Sequence, residues 1–104
     1  WEFAGGKVEP GETQAQALAR ELQEELAIDA RPECYIASHL REVSARLIHL
    51  HAWWVPHFHG EPIARYHSQL RWCSPQEAFT FNLAPADIPL LEAFIARRAA
   101  LPSR

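Results

Sequence analysis

Long apolar runs are missing from this 104-residue sequence: charges or prolines interrupt each hydrophobic stretch, so no segment is expected to span a membrane. A signal-peptide pattern is also missing, and a cytoplasmic protein is expected. Cysteine is scarce, with only Cys34 and Cys73 and no CxxC or zinc spacing between them. That fits reduced structural thiols rather than a disulfide framework. Basic charge is not in excess, since 10 Lys and Arg against 13 Asp and Glu leave a net charge of −3. A surface for polymeric nucleic acid needs clustered Lys and Arg to release counterions, so that class is excluded and a single nucleotide remains open. Repeats, low-complexity segments and Gly/Ser linkers are absent, which predicts one domain over 1–104. An initiating methionine is lacking as well; the chain opens on Trp1, and an N-terminal part is expected to precede it.

What is present is ordinary globular composition, 48% apolar and 22% charged, enough for one core and one site. Three of the four glycines fall in GGKVEPGE, where Glu9-Pro10-Gly11-Glu12 suits a type II turn. Thr13 and Gln16 then form a capping-box pattern, predicting a helix over 14–26 with Leu18, Leu22 and Leu26 on its apolar face. β-branched, aromatic and alternating residues predict strands at 34–40 and 43–55, tightly joined, and a third at 69–73. Ser74-Pro75-Gln76-Glu77 repeats the capping pattern at the start of a short helix. A last helix is predicted from Asp87, burying Ile88, Leu91, Phe94 and Ile95. Helices and strands in this order make an α/β or α+β layer structure.

Glu21, Glu24 and Glu25 sit at i, i+3 and i+4, so their carboxylates share one helix face, with Arg20 able to pair with Glu24 one turn on. A solvated charged face would look the same. The longer pattern separates the two readings: Gly6, five residues, Glu12, seven residues, Arg20-Glu21-Leu22, one residue, Glu24-Glu25, one residue, Ala27-Ile28. This resembles the signature of the Nudix hydrolases of the MutT type, G-x5-E-x7-R-E-U-x-E-E-x-G-U with U aliphatic. Eight of its nine fixed positions match. The resemblance implies a Nudix fold, a mixed β-sheet sandwiched by helices, whose N-terminal strands are missing from this stretch of chain. It also implies an Mg²⁺-dependent enzyme, with Mn²⁺ as a substitute, that cleaves a nucleoside triphosphate to the monophosphate and diphosphate. Clustered carboxylates suit Mg²⁺, a hard cation that takes oxygen ligands and retains waters. In the family the glutamates matching Glu21, Glu24 and Glu25 bind metal with the carbonyl matching Gly5. The arginine matching Arg20 orients them, the glutamate matching Glu12 supports the loop–helix unit, and Gly6, Leu22, Ala27 and Ile28 fall on structural positions of the signature.

Two departures stand out. Ala27 replaces the last glycine of the signature, where a Cβ on a left-handed residue costs roughly 1–2 kcal/mol, so a different helix ending is expected. Tyr66, flanked by His67, occupies the position where many MutT-type enzymes carry a further glutamate. Glu21 alone, His67 or Glu61 could then serve as base, or turnover could be slow.

Outside the signature, WEFAGGKVEPGE, REVSARLIHLHAW, WCSP and LAPADIPLLEAF resemble the MutT-type subgroup acting on cytosine nucleotides and on some oxidised ones. Asp87 aligns with the residue that reads the base edge in such enzymes, and a carboxylate can accept from the exocyclic amine of cytosine. Asp87 is equally suited to cap the last helix. Arg46 matches a position near the nucleotide and also reads as an exposed hairpin residue; Phe3 falls in the family's cleft and also reads as core. His49 and His51 alternate on one strand face, as do His57 and His59, but without Cys or carboxylate at ligand spacing a polar strand face is favoured over zinc. Rival readings are an 8-oxo-dGTP diphosphatase, a Nudix hydrolase of other nucleoside diphosphate derivatives, and a MutT-like lesion reader, the last disfavoured by intact glutamates and acidic charge. Without further N-terminal strands, this stretch of chain is expected to expose a sheet edge and fold poorly. Nothing in the sequence fixes the oligomeric state.

Overall fold

The structure, a computed structural model, describes residues 1–65 and 69–101. Contacts divide the chain into two compact units, one of Phe3–Glu33 with Trp54–Trp72, the other of Trp1–Glu2, Cys34–Trp53 and Cys73–Arg104.

In the first unit, helix α1 runs Gln14–Leu26. It begins where the sequence places it: the Thr13 hydroxyl accepts from the Gln16 backbone N–H, and the Gln16 side chain accepts in return from the Thr13 N–H at 2.9 Å. These reciprocal bonds satisfy donors that the first turn otherwise leaves orphaned. The helix buries Ala17 and Leu22, and Leu22 packs with Ile28 and Ala30 in a core flanked by Ala4, Leu18, Leu26 and Val55. Strand β1, Asp29–Arg31, exposes its outer residues and buries Ala30 between them, as the two-residue period of a pleat demands.

Helix α1 ends on Ala27, which takes φ 60° and ψ 31° and gives its backbone N–H to the Gln23 carbonyl at 3.0 Å. The expected different ending does not occur. The left-handed cap is kept without the glycine that suits it, so the Cβ cost is borne there. Beyond β1 lies its antiparallel partner, His57–His59, which pairs in register Asp29 with His59 and Arg31 with His57. Gly60 follows at φ 102°, and a Cβ on it would come within 3.3 Å of the Ala27 carbonyl oxygen. Glycine is required at that approach.

In the second unit lie β2, Cys34–Val43, and β3, Arg46–Trp54, of which the last residue is counted with the first unit; the His57–His59 strand of the first unit is β4 in chain order. Ser44 and Ala45 alone join β2 to β3, at φ 51° and 62°. Two central residues at positive φ mark a type I′ hairpin turn, which matches the twist of the strands it joins. The sequence places this junction earlier, because Ser-Ala lacks the Asn or Gly that ordinarily announces such a turn. Helix α2, Pro75–Ala78, carries its expected capping box through Ser74 and Glu77. Helix α3, Asp87–Arg97, packs on β2, and its Arg97 guanidinium donates to the carbonyls of Tyr35 and Ile36 at 2.7 and 2.6 Å.

Two expectations shift. Residues 69–73 form no strand: all five are exposed and neither two-stranded sheet includes them. Alternation describes a face that could be buried, but a strand also needs a ladder partner. Trp72 is held instead by stacking on Phe58, with ring centroids 6.0 Å apart and planes 13° from parallel. In α3 the buried stripe is Asp87, Leu90 and Leu91, and Ile88 is exposed. Leu91 is buried as expected and Phe94 and Ile95 are half-buried, so the difference lies in the first turn, where Asp87 takes the buried position in place of Ile88 and hydrophobicity cannot flag it.

Replacing Ala27 by glycine should remove the Cβ from the left-handed cap, raising stability by about 1 kcal/mol. A small domain then melts several degrees higher. A melting temperature that is unchanged or lower would show that the cap carries no strain.

Candidate active site

The candidate site is built in the first unit from the 4–12 loop and α1. The loop is folded back by the expected type II turn, in which the Glu12 N–H donates to the Glu9 carbonyl at 3.1 Å and Gly11 takes φ 85°. The turn delivers the Glu12 carboxylate to two donors: Oε1 accepts from the Glu9 N–H at 2.9 Å, and both oxygens face Arg20.

Arg20 gathers the rest. Its Nε and Nη2 donate to the two Glu12 oxygens at 2.8 and 3.0 Å, a bidentate fork. Nη2 also donates to the Lys7 carbonyl at 3.0 Å, while Nη1 donates to Glu21 at 2.9 Å and to Glu24 at 3.4 Å. All five N–H donors of a guanidinium are thereby used, which an ammonium could not match. The Arg20 guanidinium beside it, and then the Glu9 N–H, hold the Glu12 carboxyl below its ordinary value. The Glu12 and Glu21 carboxylates in turn raise Arg20 further above an already permanent charge.

The loop approaches the helix because its glycines allow it. The Gly5 N–H donates to Glu25 Oε2 at 3.0 Å, with Gly5 at φ 152°. A Cβ on Gly6 would lie under 3.0 Å from Cδ, Oε1 and Oε2 of Glu21. Glu21 therefore rests on the bare Cα of Gly6 and reaches Arg20 from there. The sequence locates this glycine but not the carboxylate lying over it. The Lys7 carbonyl is likewise invisible to residue-type reasoning, because a backbone acceptor is the same whatever the side chain.

The carboxylates of Glu12, Glu21, Glu24 and Glu25 outnumber the single guanidinium that they surround, so negative charge is in excess. Glu21 is 18% exposed and Glu24 is 53% exposed, the first enclosed and the second on the solvent side of Arg20. Among the described residues no three His, Cys, Asp or Glu side chains already converge as a metal cage. Glu21 and Glu24 are held by Arg20, and Glu25 by Gly5. In kind the donor set fits Mg²⁺: all oxygen, net negative, on one rigid helix face.

The remaining candidates are dispersed. Phe3 belongs to the unit of α1 and is 43% exposed, so it is not core. Arg46 and Asp87 belong to the other unit, Arg46 exposed beside the hairpin turn. Asp87 is only 9% exposed and is the first residue of α3, one past the cap position, which is Ala86 without a side-chain cap bond. The capping role is therefore overturned. Glu61 is exposed, and Tyr66 and His67 lie outside the described residues. His49 and His51 do share a face, with ring centroids 4.2 Å apart, and the Tyr35 hydroxyl meets His51 Nδ1 at 2.8 Å. Burial and the neighbouring His49 hold the His51 imidazole below its ordinary value of 6.5. No helix among the described residues is long and apolar enough to cross a membrane.

Comparison with known proteins gives a family model described as NUDIX domain, matching residues 1–94. A CTP pyrophosphohydrolase of Escherichia coli (strain K12) is 67% identical over 103 residues, covering 99% of this chain and 76% of that protein. An 8-oxo-dGTP diphosphatase of the same organism is 36% identical over 90 residues, covering 86% of this chain and 70% of that protein. The solution structure of the E. coli ORF135 protein matches with a TM-score of 0.91 at 66% identity, over 100% of this chain and 74% of that one. A structure from work on MutT of Aliivibrio salmonicida and Vibrio cholerae matches at 0.78 with 30% identity, over 93% of this chain and 75% of that one.

Two substitutions test the geometry. Gly6→Ala should push the Glu21 carboxylate off Arg20, and because a Cβ there meets only the end of a flexible side chain the cost should be that of one hydrogen bond, about 1 kcal/mol by denaturant unfolding; a loss of several kcal/mol would contradict a contact confined to that carboxylate. Because Glu12 is depressed in the folded state, its contribution is present above its ordinary value of 4.5 and is lost as pH falls through the lower folded value. Melting curves of the unmodified chain and of Glu12→Gln should therefore differ near neutrality and draw together as pH falls below 4.5; a gap that widens as pH falls below 4.5 would refute the assignment.

Proposed function

The chain belongs to the Nudix family, and on that premise we propose that it is a nucleoside triphosphate pyrophosphohydrolase: triphosphate and water give nucleoside monophosphate and diphosphate. The observation that carries this reading is the Arg20 hub, which ties the Glu12 turn, the Lys7 carbonyl, Glu21 and Glu24 into one unit while Gly5 holds Glu25.

Glu21, Glu24 and Glu25, with the Gly5 carbonyl, are the residues that would hold Mg²⁺, or Mn²⁺ in its place. Bound there, the cation supplies charge neutralisation at the phosphates and activates water. The chain's own work is positioning. Arg20 keeps Glu21 and Glu24 on one side of the helix, Glu12 fixes Arg20, and the Gly5-Gly6 backbone lets the loop lie against the carboxylates. Glu21 is the carboxylate best placed as base, being more enclosed than Glu24 and restrained on two sides, by Gly6 and by Arg20.

Cytosine nucleotides, CTP, dCTP and their 5-methyl or 5-hydroxy forms, are the favoured substrates. Support comes from the E. coli CTP pyrophosphohydrolase, similar over nearly the whole chain. Asp87, a carboxylate at the start of α3, could accept from the cytosine amine. Arg46 and Phe3 are the further substrate contacts. A second reading, action on oxidised purine triphosphates in sanitation of the nucleotide pool, is favoured by the similarity to 8-oxo-dGTP diphosphatases. The partner is a small nucleotide in the cytoplasm rather than polymeric nucleic acid, which the acidic balance disfavours.

Incubation with Mg²⁺ and a panel of canonical, methylated and oxidised triphosphates should yield monophosphate and diphosphate, fastest with a cytosine base. Glu24→Gln should slow turnover by about 100-fold or more, as loss of one charged group at a reacting centre does. Orthophosphate as the sole phosphate product, or equal rates for the variant, would refute the proposal.

A further inference from the structure

The Tyr35, His49 and His51 cluster belongs to the unit without the carboxylate helix, and the proposed hydrolysis makes no use of it. Residues two apart on a strand stand about 6.6 Å from each other along the backbone. The two imidazole centroids are nevertheless only 4.2 Å apart, so the rings lean together on one face of β3. His49 is open to solvent and His51 is half-buried. The Tyr35 hydroxyl engages His51 Nδ1 at 2.8 Å, which sets the ring and leaves Nε2 as its second nitrogen. Tyr35 is itself fixed, edge-on to Trp53 with centroids 5.5 Å apart and planes at 86°. Arg97 of α3 clamps the backbone beneath it through the Tyr35 and Ile36 carbonyls.

We propose that His49 and His51 form a two-imidazole site for a transition-metal dication of the Zn²⁺ and Cu²⁺ class, with Tyr35 orienting His51. Spacing alone favoured a polar strand face; the convergence of the rings and the hydroxyl on Nδ1 change that balance. A ligating histidine ordinarily has its other ring nitrogen held by an oxygen, which fixes ring orientation and tautomer. Imidazole selects zinc, copper and nickel, whereas carboxylates select magnesium and manganese. The chain thus carries the two donor chemistries on separate residues. Among the described residues no third His, Cys, Asp or Glu joins the pair, so solvent completes the coordination shell. His57 and His59 repeat the same spacing on β4 and serve as an internal control.

The test is calorimetric titration of the whole chain with Zn²⁺ in the presence of excess Mg²⁺, which occupies oxygen sites. One equivalent should bind. Affinity should fall about tenfold or more in His49→Ala and in His51→Ala, and about tenfold in Tyr35→Phe, while His57→Ala/His59→Ala binds as the unmodified chain does. Cu²⁺ added to the unmodified chain should show nitrogen superhyperfine splitting from two equatorial nitrogens, a readout independent of whether any variant folds. Absence of Zn²⁺ binding, loss of it in His57→Ala/His59→Ala alone, or a copper spectrum without nitrogen coupling would overturn the site. Since none of these readouts involves nucleotide turnover, they stand or fall separately from the hydrolase assignment.

Discussion

One guanidinium organises the chemistry of this chain. Without Arg20, the carboxylates of Glu12, Glu21 and Glu24 would stand close together with no positive charge between them, and like charges repel. With it, each carboxylate has a direction, and the loop that carries Gly5, Gly6 and Lys7 is tied to the helix that carries the glutamates. Charge excess is left over after this pairing, and that excess is what suits the region to a divalent cation.

Within each unit, residues without glycine's freedom occupy costly backbone conformations where the chain must turn. Ala27 closes α1 in the left-handed region so that Ile28 and Ala30 can turn into the core beneath Leu22. Ser44 and Ala45 do the same at the hairpin. No large side chain among the described residues is fully buried. Local devices such as capping boxes, the type II turn and the arginine fork therefore carry much of the specification that a larger core would supply.

Much of this was readable in advance, and the limits have physical causes. The bounds of α1, its capping box, the Glu9–Glu12 turn and the box opening α2 follow from short-range chemistry, in which a residue's partner lies three or four positions away. The signature spacing alone puts the carboxylates of Glu21, Glu24 and Glu25 on one helix face with Arg20 beside them. What stayed hidden depends on partners that sequence does not name. Residues 69–73 alternate like a strand yet have no ladder. Asp87 is buried at a position that an apolar pattern skips. The three-residue strands β1 and β4 are too short to show a period. Glu21 lying on Gly6, and Arg20 on the Lys7 carbonyl, are contacts of shape and backbone rather than of residue type. The Tyr35–His51 contact spans two strands, and only the hairpin brings it about.

In the function proposed, the five-donor geometry of Arg20 positions the carboxylates that act on the triphosphate. Arg20→Lys keeps the charge but cannot form the bidentate fork to Glu12 while also reaching Glu21, Glu24 and the Lys7 carbonyl. The rate of diphosphate release from CTP with saturating Mg²⁺ should fall on the order of 100-fold, as for misplacement of reacting groups by about an ångström, with the circular dichroism spectrum retained. A folded Arg20→Lys protein that turns over at the unmodified rate would contradict the claim.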